Sequence, residues 1–157
     1  MKAFWKITTG LFVVVIGSGF FVKRDNPEVT HQVNWDSEAT RIQFMASCAD
    51  CHSNETKWPW YSYIGPIGMK ISQNVHKGRK HFNISNQKMG DADDAAEEVL
   101  EGEMPTGDYM LFHPEAALTE ESMEVFVQGL AKTFGSEDSK KKKGYKNRSR
   151  SHDDEDD

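Results

Sequence analysis

The apolar residues in the middle of the chain recur at helical spacing, which predicts a small all-α domain over residues 37–135. A first helix is predicted to be capped by Asp36 or Ser37 and to run into Cys48. The residues expected to face its core are Ile42, Met45 and Ala46. A second, short helix is predicted to end at Gly78. Its apolar stripe consists of Ile67, Ile71 and Val75.

Two further helices are predicted from the same periodicity. One spans residues 91–101, with Asp91 as its N-cap and Gly102 as its stop. Its buried stripe is expected to consist of Ala92, Ala95, Ala96, Val99 and Leu100. The last helix is predicted to be capped by Thr119 and ended by Gly135. Its apolar face consists of Met123, Phe126, Val127, Leu130 and Phe134.

The two ends of the chain differ from this domain. Residues 7–22 contain no charged side chain, and two basic residues end the run. The length lies between that of a signal-peptide core and that of a membrane span, so residues 1–24 are predicted to be a signal-anchor or a signal peptide, with the anchor favoured. Residues 25–36 are predicted to form a tether. Residues 136–157, with seven basic and seven acidic side chains, are predicted to form a disordered tail.

The only two cysteines of the chain lie in the sequence Cys48-Ala49-Asp50-Cys51-His52. Two thiols at i and i+3, followed directly by a histidine, are typical of a c-type haem attachment site. The sulfurs can add across the two vinyl groups of one haem, and His52 is then carried under the ring, where it can bind iron. The sequence therefore predicts one covalent haem c per chain.

Three other interpretations of the cysteine pair are weaker. A zinc site needs two more Cys or His ligands at paired spacing, and the sequence has no second C-x-x-C or H-x-x-x-H. A redox dithiol usually follows a strand in a βαβ pattern, which the flanking residues do not show. A disulfide between positions 48 and 51 would close too small a loop to stabilise much.

The predicted signal-anchor or signal peptide and the haem motif both indicate export, because covalent haem attachment in bacteria is expected outside the cytoplasm. The protein is therefore expected on the periplasmic side of the bacterial inner membrane, or in the periplasm if the leader is removed. Residues 25–135 carry eight Lys and Arg against eighteen Asp and Glu. This acidic balance argues against nucleic acid as a partner and favours redox proteins with a basic docking face.

Met104 is the candidate for the second axial ligand of the iron. A thioether is a neutral, soft ligand, and the pair of His and Met raises the reduction potential. Met104 precedes Pro105 in a loop rather than on a helical stripe, although most of the seven methionines are expected to fill the core. His113 is the alternative, which would give a bis-histidine site.

Three further residue groups are candidates for the surroundings of the haem. The aromatic run at 58–63 is expected either to wall the haem or to pack in the core. The carbonyl of Pro66 is a candidate acceptor for the imidazole of His52, unless this proline only begins a helix. Arg79 or Lys80 lies in the one basic patch, which is either a solvated surface or a partner for a haem propionate.

Over residues 40–134 the chain resembles the bacterial haem-binding domain family of exported monohaem proteins, which are of the class I cytochrome c type. The matching letters are CADCHSNET at 48–56, PWYS at 59–62, Ile64, Pro66, GR at 78–79, Asn83, EGEMP at 101–105, Tyr109 and HP at 113–114. The resemblance implies a covalent haem c with His52 and Met104 as axial ligands. The chain departs from the family pattern at 68–69 and 86–87, where the family tends to have an aromatic residue and a Trp.

The function predicted from these features is single-electron transfer by a membrane-tethered cytochrome c rather than an enzymatic reaction. No titratable pair stands out as an acid–base couple. The alternatives are a small haem peroxidase, in which His113 or His81 would serve as the distal group, and a haem-based redox or gas sensor.

Overall fold

The computed structural model describes residues 4–6, 8–10 and 17–135. Within these residues all regular structure is helical, apart from one isolated antiparallel bridge between Phe82 and Gly90. The predicted all-α class is therefore confirmed. Residues 1–3, 7 and 11–16 of the predicted anchor and the whole predicted tail, 136–157, lie outside the described residues. No helix in the described part of the chain is long and apolar enough to span a membrane.

The α-helices of the described chain are short, except for α3 and α6. In order they are α1 (Glu38–Ser47), α2 (Ala49–His52), α3 (Gly65–His81), α4 (Ala95–Leu100), α5 (Gly107–Met110) and α6 (Glu120–Phe134). Short 3-10 helices occupy Ser18–Phe21, Trp60–Tyr63, Ala92–Asp94 and Pro114–Ala116. We call the first of these the junction helix (Ser18–Phe21) and the second the aromatic helix (Trp60–Tyr63).

The described residues form two compact units. Unit 1 contains Ala49–Gly90 together with the described residues up to Gln32, and unit 2 contains Val33–Cys48 together with the described residues from Asp91 onward. The chain passes from unit 2 into unit 1 between Cys48 and Ala49, which is inside the C-x-x-C-H motif.

Unit 1 is built on α3, against which α2, the junction helix and the aromatic helix pack. Pro66 lies in the first turn of α3, where its missing N–H costs nothing. The helix continues past Gly78 to His81. The basic side chains of its last turn interact favourably with the negative end of the helix dipole. Val75 is buried as predicted, whereas Ile67 is 41% exposed, because the first turns of α3 pack through glycines instead.

Unit 2 is built on α6, against which α1, α4 and the 3-10 helix Ala92–Asp94 pack. The ring of Phe44 is fully buried between two other aromatic rings, with centroids 5.0 Å from Trp35 and 5.9 Å from Phe134. Gly129 in the middle of α6 lets the side chain of Thr40 come close to the helix backbone. The core of unit 2 is therefore an aromatic and aliphatic layer between helices.

The sequence predictions for unit 2 were right about the ends of α6 and the stop at Gly102, and wrong about Asp91, whose side chain makes no capping hydrogen bond, and about some buried faces. Thr119 caps α6, and Gly135 and Gly102 adopt positive φ of 90° and 77° at their predicted stops. Ile42 and Leu100, however, are 56% and 62% exposed rather than buried. Helix α1 buries Thr40, Phe44 and Ser47, which is a stripe shifted around the helix from the predicted one. The region predicted as one helix over 91–101 begins as a 3-10 helix and becomes α-helical only at Ala95.

Candidate functional site

The C-x-x-C-H motif lies where two helices follow one another directly. Cys48 ends α1, and its N–H donates to the carbonyl of Phe44 at 2.9 Å. The next residue begins α2, which carries Cys51 and His52. Both cysteines are half-buried thiols rather than a disulfide. They are therefore in the form that thioether formation with a vinyl group requires.

The imidazole of His52 is buried and held in one orientation. Its Nδ1 lies 3.1 Å from the carbonyl oxygen of Phe82, and its ring stacks on the Phe82 ring with centroids 4.1 Å apart and planes 17° apart. Because a carbonyl oxygen only accepts, this hydrogen bond places the proton on Nδ1 and leaves the lone pair on Nε2. A neutral imidazole with a free Nε2 lone pair is the form that binds a metal ion.

The protonation state of His52 agrees with this role. Burial lowers the pKa of its imidazole below the ordinary value, and the positive charge that His81 can carry acts in the same direction. The backbone hydrogen bonds to Phe82 and, to a smaller extent, Gly78 raise the pKa without overcoming the effect of burial. The side chain is 7% exposed, so water has little access to it. His52 is therefore held neutral near physiological pH.

The acceptor for His52 is not the one expected from the sequence. We predicted the carbonyl of Pro66 as a possible partner, but the partner is the carbonyl of Phe82, at the other end of α3. Phe82 caps the C-terminus of α3 by donating its N–H to the carbonyl of Gly78 at 3.0 Å. Its position therefore depends on where α3 ends, which local sequence patterns do not reveal.

The loop after Phe82 is closed on itself and fixes that carbonyl. The N–H of Asn83 donates to the carbonyl of Met89 at 2.7 Å, next to the bridge between Phe82 and Gly90. Gly90 has φ of 85°, a backbone conformation that residues other than glycine rarely adopt. On the His52 side, the carbonyl of His52 accepts the N–H of Ile84 at 2.9 Å. His52 is thus hydrogen-bonded to the loop after Phe82 through both its side chain and its backbone.

A buried layer of polar side chains supports this arrangement. Asn83 donates through Nδ2 to Oδ1 of Asn54 at 2.7 Å, and its own Oδ1 accepts the N–H of Ser85 at 2.9 Å. The hydroxyl of Ser85 accepts the N–H of Asn54 at 2.9 Å. These three side chains are at most 4% exposed, and buried polar groups are stable only when paired. The layer therefore holds the residues after His52 in place.

Arg79 joins the segment after the motif to the segment before α1. Its guanidinium donates to the carbonyl of Ser53 at 2.7 Å and to the hydroxyl of Thr56 at 2.8 Å. It also donates to the carbonyl of Asp25 at 2.9 Å and to Oδ1 of Asn26 at 3.0 Å. The structure thus gives Arg79 a role in cross-linking the backbone, instead of the role of propionate partner that we considered from the sequence.

Gly78 allows α3 to approach the haem motif closely. A Cβ at this position would lie 2.5 Å from the carbonyl oxygen of Cys51 and 2.9 Å from its Cβ. Real Cβ atoms essentially never come this close to another atom, so a larger residue would require Cys51 or the helix to shift. The sequence predicted Gly78 as the end of the helix, which was wrong, because the helix continues to His81 and Gly78 instead allows this close approach.

The two candidates for the second axial ligand both lie in unit 2. Met104 is half-buried, and its N–H shares the carbonyl of Glu98 with the N–H of Glu103, at 3.1 and 3.0 Å. His113 is also half-buried, with its Nδ1 3.0 Å from Oε1 of Glu115 and its ring stacked on Tyr109. The carboxylate of Glu115 has a lowered pKa, chiefly from a backbone hydrogen bond and also from His113.

The residues of the motif fit a haem. The two thiols have the spacing for thioether bonds, and the buried imidazole next to them presents a lone pair on Nε2. The fold and the site together define a helical haem-binding protein. Over residues 12–132 the chain matches the family model of the Haem-binding domain, and it belongs to this family. Neither a search of curated proteins nor a search of solved structures gave a match.

Proposed function

We propose that the protein is an exported, membrane-tethered carrier of single electrons with one covalent haem c. Cys48 and Cys51 would hold the haem through thioether bonds to its two vinyl groups, an addition that keeps the thiol hydrogen on the second vinyl carbon and needs no oxidant or reductant. The haem supplies a one-electron iron couple. The observation that carries this proposal is the buried, neutral imidazole of His52 directly after the two thiols.

The residues around His52 have two roles in this proposal. The carbonyl of Phe82 keeps the proton on Nδ1, which fixes the tautomer and makes Nε2 a stronger donor to iron. The stacked ring of Phe82 and the buried layer of Asn54, Asn83 and Ser85 keep the imidazole from rotating. A ligand that does not move between oxidation states is suited to electron transfer, because less reorganisation accompanies each step.

We propose Met104 as the second axial ligand. Its support is the position of its backbone, which the hydrogen bonds from the N–H groups of Glu103 and Met104 to the carbonyl of Glu98 fix, and the family resemblance of the sequence around it. The competing ligand, His113, has its Nδ1 next to Oε1 of Glu115, which leaves Nε2 as its metal-binding nitrogen, so substitution of each residue distinguishes the two. An electron carrier needs two protein ligands, whereas a peroxidase needs an open or labile sixth position.

The first experiment is a pyridine haemochrome spectrum with an intact mass, on the full chain expressed with the haem-maturation machinery. We expect a c-type spectrum and one added haem that acid acetone does not extract. A colourless protein, or a pigment that acid acetone removes, would contradict covalent attachment. A reversible one-electron titration without peroxide turnover is expected for the carrier. Turnover of hydrogen peroxide with a five-coordinate resting iron would favour the peroxidase instead.

The second experiment compares three substitutions in the full, haem-loaded chain. Met104→Ala should abolish the sulfur-to-iron charge-transfer band and lower the reduction potential. Met110→Ala, at another half-buried methionine of unit 2, is the matched control and should leave both unchanged. If His113→Ala has the effect expected of Met104→Ala, the iron has two histidine ligands.

The tether and the redox partner are part of the same proposal. The uncharged run at 7–22 is proposed as the membrane anchor, which predicts that the full chain stays with membranes after an alkaline carbonate wash. In unit 2, residues 33–48 and 91–135 carry fourteen acidic and two basic side chains. We therefore propose that unit 2 docks a basic redox partner, at a rate that falls as salt is added.

A further inference from the structure

The end of the apolar run is fixed to the surface of unit 1. The junction helix packs against the aromatic helix and α3, and the Val22 side chain lies 3.7 Å from the position a Cβ would occupy at Gly68. Just beyond it, the carbonyl of Lys23 accepts the hydroxyl of Ser72 at 2.8 Å. The last residues of the proposed anchor therefore lie on unit 1 instead of leading to it through a free linker.

Arg24 closes this junction. Its guanidinium donates to the carbonyl of Ser62 at 2.9 and 3.2 Å, to that of Val22 at 2.9 Å, and to that of Gly19. It also lies over the ring of Tyr63, 4.1 Å from the centroid. One side chain thus binds both sides of the contact between the junction helix and the aromatic helix. A membrane that holds residues 7–22 would hold this side of unit 1 against its surface.

Five of the seven exposed large apolar side chains in the described residues of unit 1 lie in this region. The seven are Phe4, Trp5, Phe21, Trp60, Tyr63, Ile67 and Met69. The last five belong to the junction helix, the aromatic helix and the start of α3, which pack together. Trp60 is 77% exposed and Phe21 is 92% exposed. Clustered exposed apolar groups mark interaction sites, and Trp and Tyr are enriched at membrane interfaces.

The charges of the same region have the sign that favours anionic lipids. Residues 57–72, which include the aromatic helix and the start of α3, contain two lysines and no Asp or Glu. Lys57 and Lys70, both exposed, flank the aromatic helix and the start of α3 in the sequence. Near an anionic leaflet each basic residue is attracted to the surface, and the attraction adds to the burial of aromatic rings.

We propose that this end of unit 1, where Phe21, Trp60, Tyr63, Ile67 and Met69 are exposed near Lys57 and Lys70, docks on the headgroup layer of an anionic phospholipid bilayer. The proposal rests on the membrane tether of the proposed function and extends it, because the unit that carries Cys51 and His52 is held on the membrane surface by its own side chains. The aromatic rings enter the interface, and the lysines contact the phosphate groups.

The test is hydroxyl-radical footprinting of the full, haem-loaded chain in nanodiscs of phosphatidylcholine, with and without phosphatidylglycerol. We expect oxidation of Trp60 and Met69 to slow several-fold when phosphatidylglycerol is present. Phe112 of unit 2, which is 56% exposed, is the internal control and should be oxidised at the same rate in both. Equal rates for Trp60 in the two lipids, or equal slowing of Phe112, would overturn the proposal.

A charge variant sharpens the test. Lys57→Gln with Lys70→Gln should weaken docking roughly thirtyfold, since each charge is worth about 1 kcal/mol near an anionic surface. Trp60 should then be oxidised nearly as fast as in phosphatidylcholine, while Lys88→Gln, at another exposed lysine of unit 1, should change little. Co-elution with nanodiscs distinguishes failure of the membrane tether from failure of the docking proposal. A chain that does not co-elute contradicts tether and docking together, whereas a chain that co-elutes with unprotected Trp60 contradicts docking alone.

Discussion

The two units bury different kinds of side chain. In the described residues of unit 2, eight buried side chains are apolar and three are polar, whereas unit 1 buries four apolar and seven polar ones. The polar ones in unit 1 are His52, Ser53, Asn54, Thr56, Ser62, Asn83 and Ser85. An apolar layer tolerates small changes of position, but a buried polar group must keep its partner. Unit 1 is therefore specified by hydrogen-bond geometry, and unit 2 by packing.

The charges of the two units differ as well. Residues 17–32 and 49–90 of unit 1 carry eight basic and four acidic side chains, so the acidic balance of the whole chain comes from unit 2. The overall net charge thus conceals two units of opposite net charge, which agrees with the different partners proposed for them. The same division separates the histidine of the haem motif, in unit 1, from the proposed Met ligand, in unit 2.

The largest effect is expected from Arg79→Met. The substitution keeps the length of the side chain but removes the donors to the carbonyls of Ser53 and Asp25 and to the side chains of Thr56 and Asn26. Hydrogen bonds to a charged group are worth about 1.5–3 kcal/mol each and are not additive, so we expect a loss of about 4 kcal/mol in the free energy of unfolding. Urea unfolding measures it.

The matched control for Arg79→Met is Lys80→Met, at the exposed next residue of α3. It should change the free energy of unfolding by less than about 0.5 kcal/mol. Arg79→Lys should recover little, because one ammonium group cannot reach four acceptors in a planar fan. If Arg79→Met and Lys80→Met changed the free energy of unfolding equally, the claim that unit 1 depends on specific hydrogen-bond donors would be contradicted.

The second effect is expected from Asn83→Ala, inside the buried polar layer. It leaves Oδ1 of Asn54 and the N–H of Ser85 without their partner, at a cost of about 2–3 kcal/mol. Asn86→Ala, three residues further and exposed, is the control. Hydrogen exchange gives a local readout, since the amide of Ser85 should lose its protection in Asn83→Ala. Unchanged exchange at Ser85 would show that the layer does not order the loop.

The third comparison is a pair of glycine substitutions, one in each unit. Gly78→Ala forces a Cβ against Cys51, and Gly129→Ala forces one against Thr40, 2.9 Å from its Cγ2. Overpacking of this kind costs typically about 2 kcal/mol. Both should lower the melting temperature, but only Gly78→Ala should reduce the fraction of chains that carry haem. Gly107→Ala, where a Cβ meets nothing within 4 Å, is the neutral control.

A second substitution tests whether Gly129→Ala lowers the melting temperature through its contact with Thr40. Thr40→Ala removes Oγ1 and Cγ2, the two nearest of the atoms that the new Cβ would meet, so the double variant should lose less stability than the sum of the single ones. Additive losses would mean that the contact between Gly129 and Thr40 does not set the spacing of α1 and α6. Equal haem loading in both glycine variants would mean that Gly78 does not position the motif.

These differences explain what the sequence predicted and what it did not. The ends of α6 were predicted correctly because Thr119 and Gly135 act on their own neighbours. Leu100 was placed on the wrong face because an apolar stripe is wide, and only the packing partner decides which edge of it is buried. Phe82 was missed altogether, because its backbone carbonyl meets His52 through a contact between residues thirty apart.

The smallest effect is expected from the cap of α6. Thr119 accepts the N–H of Ser122 at 3.2 Å, and the hydroxyl of Ser122 accepts the N–H of Thr119 at 2.8 Å. Thr119→Ala removes one half of this capping box and should cost about 1 kcal/mol, while Thr119→Ser should cost a few tenths. A matching loss is expected for Ser37→Ala, because Ser37 caps α1 through the N–H of Thr40. If Thr119→Ala instead approached the loss expected for Asn83→Ala, unit 2 would depend on single hydrogen bonds as strongly as unit 1 does, and the contrast between the units would fail.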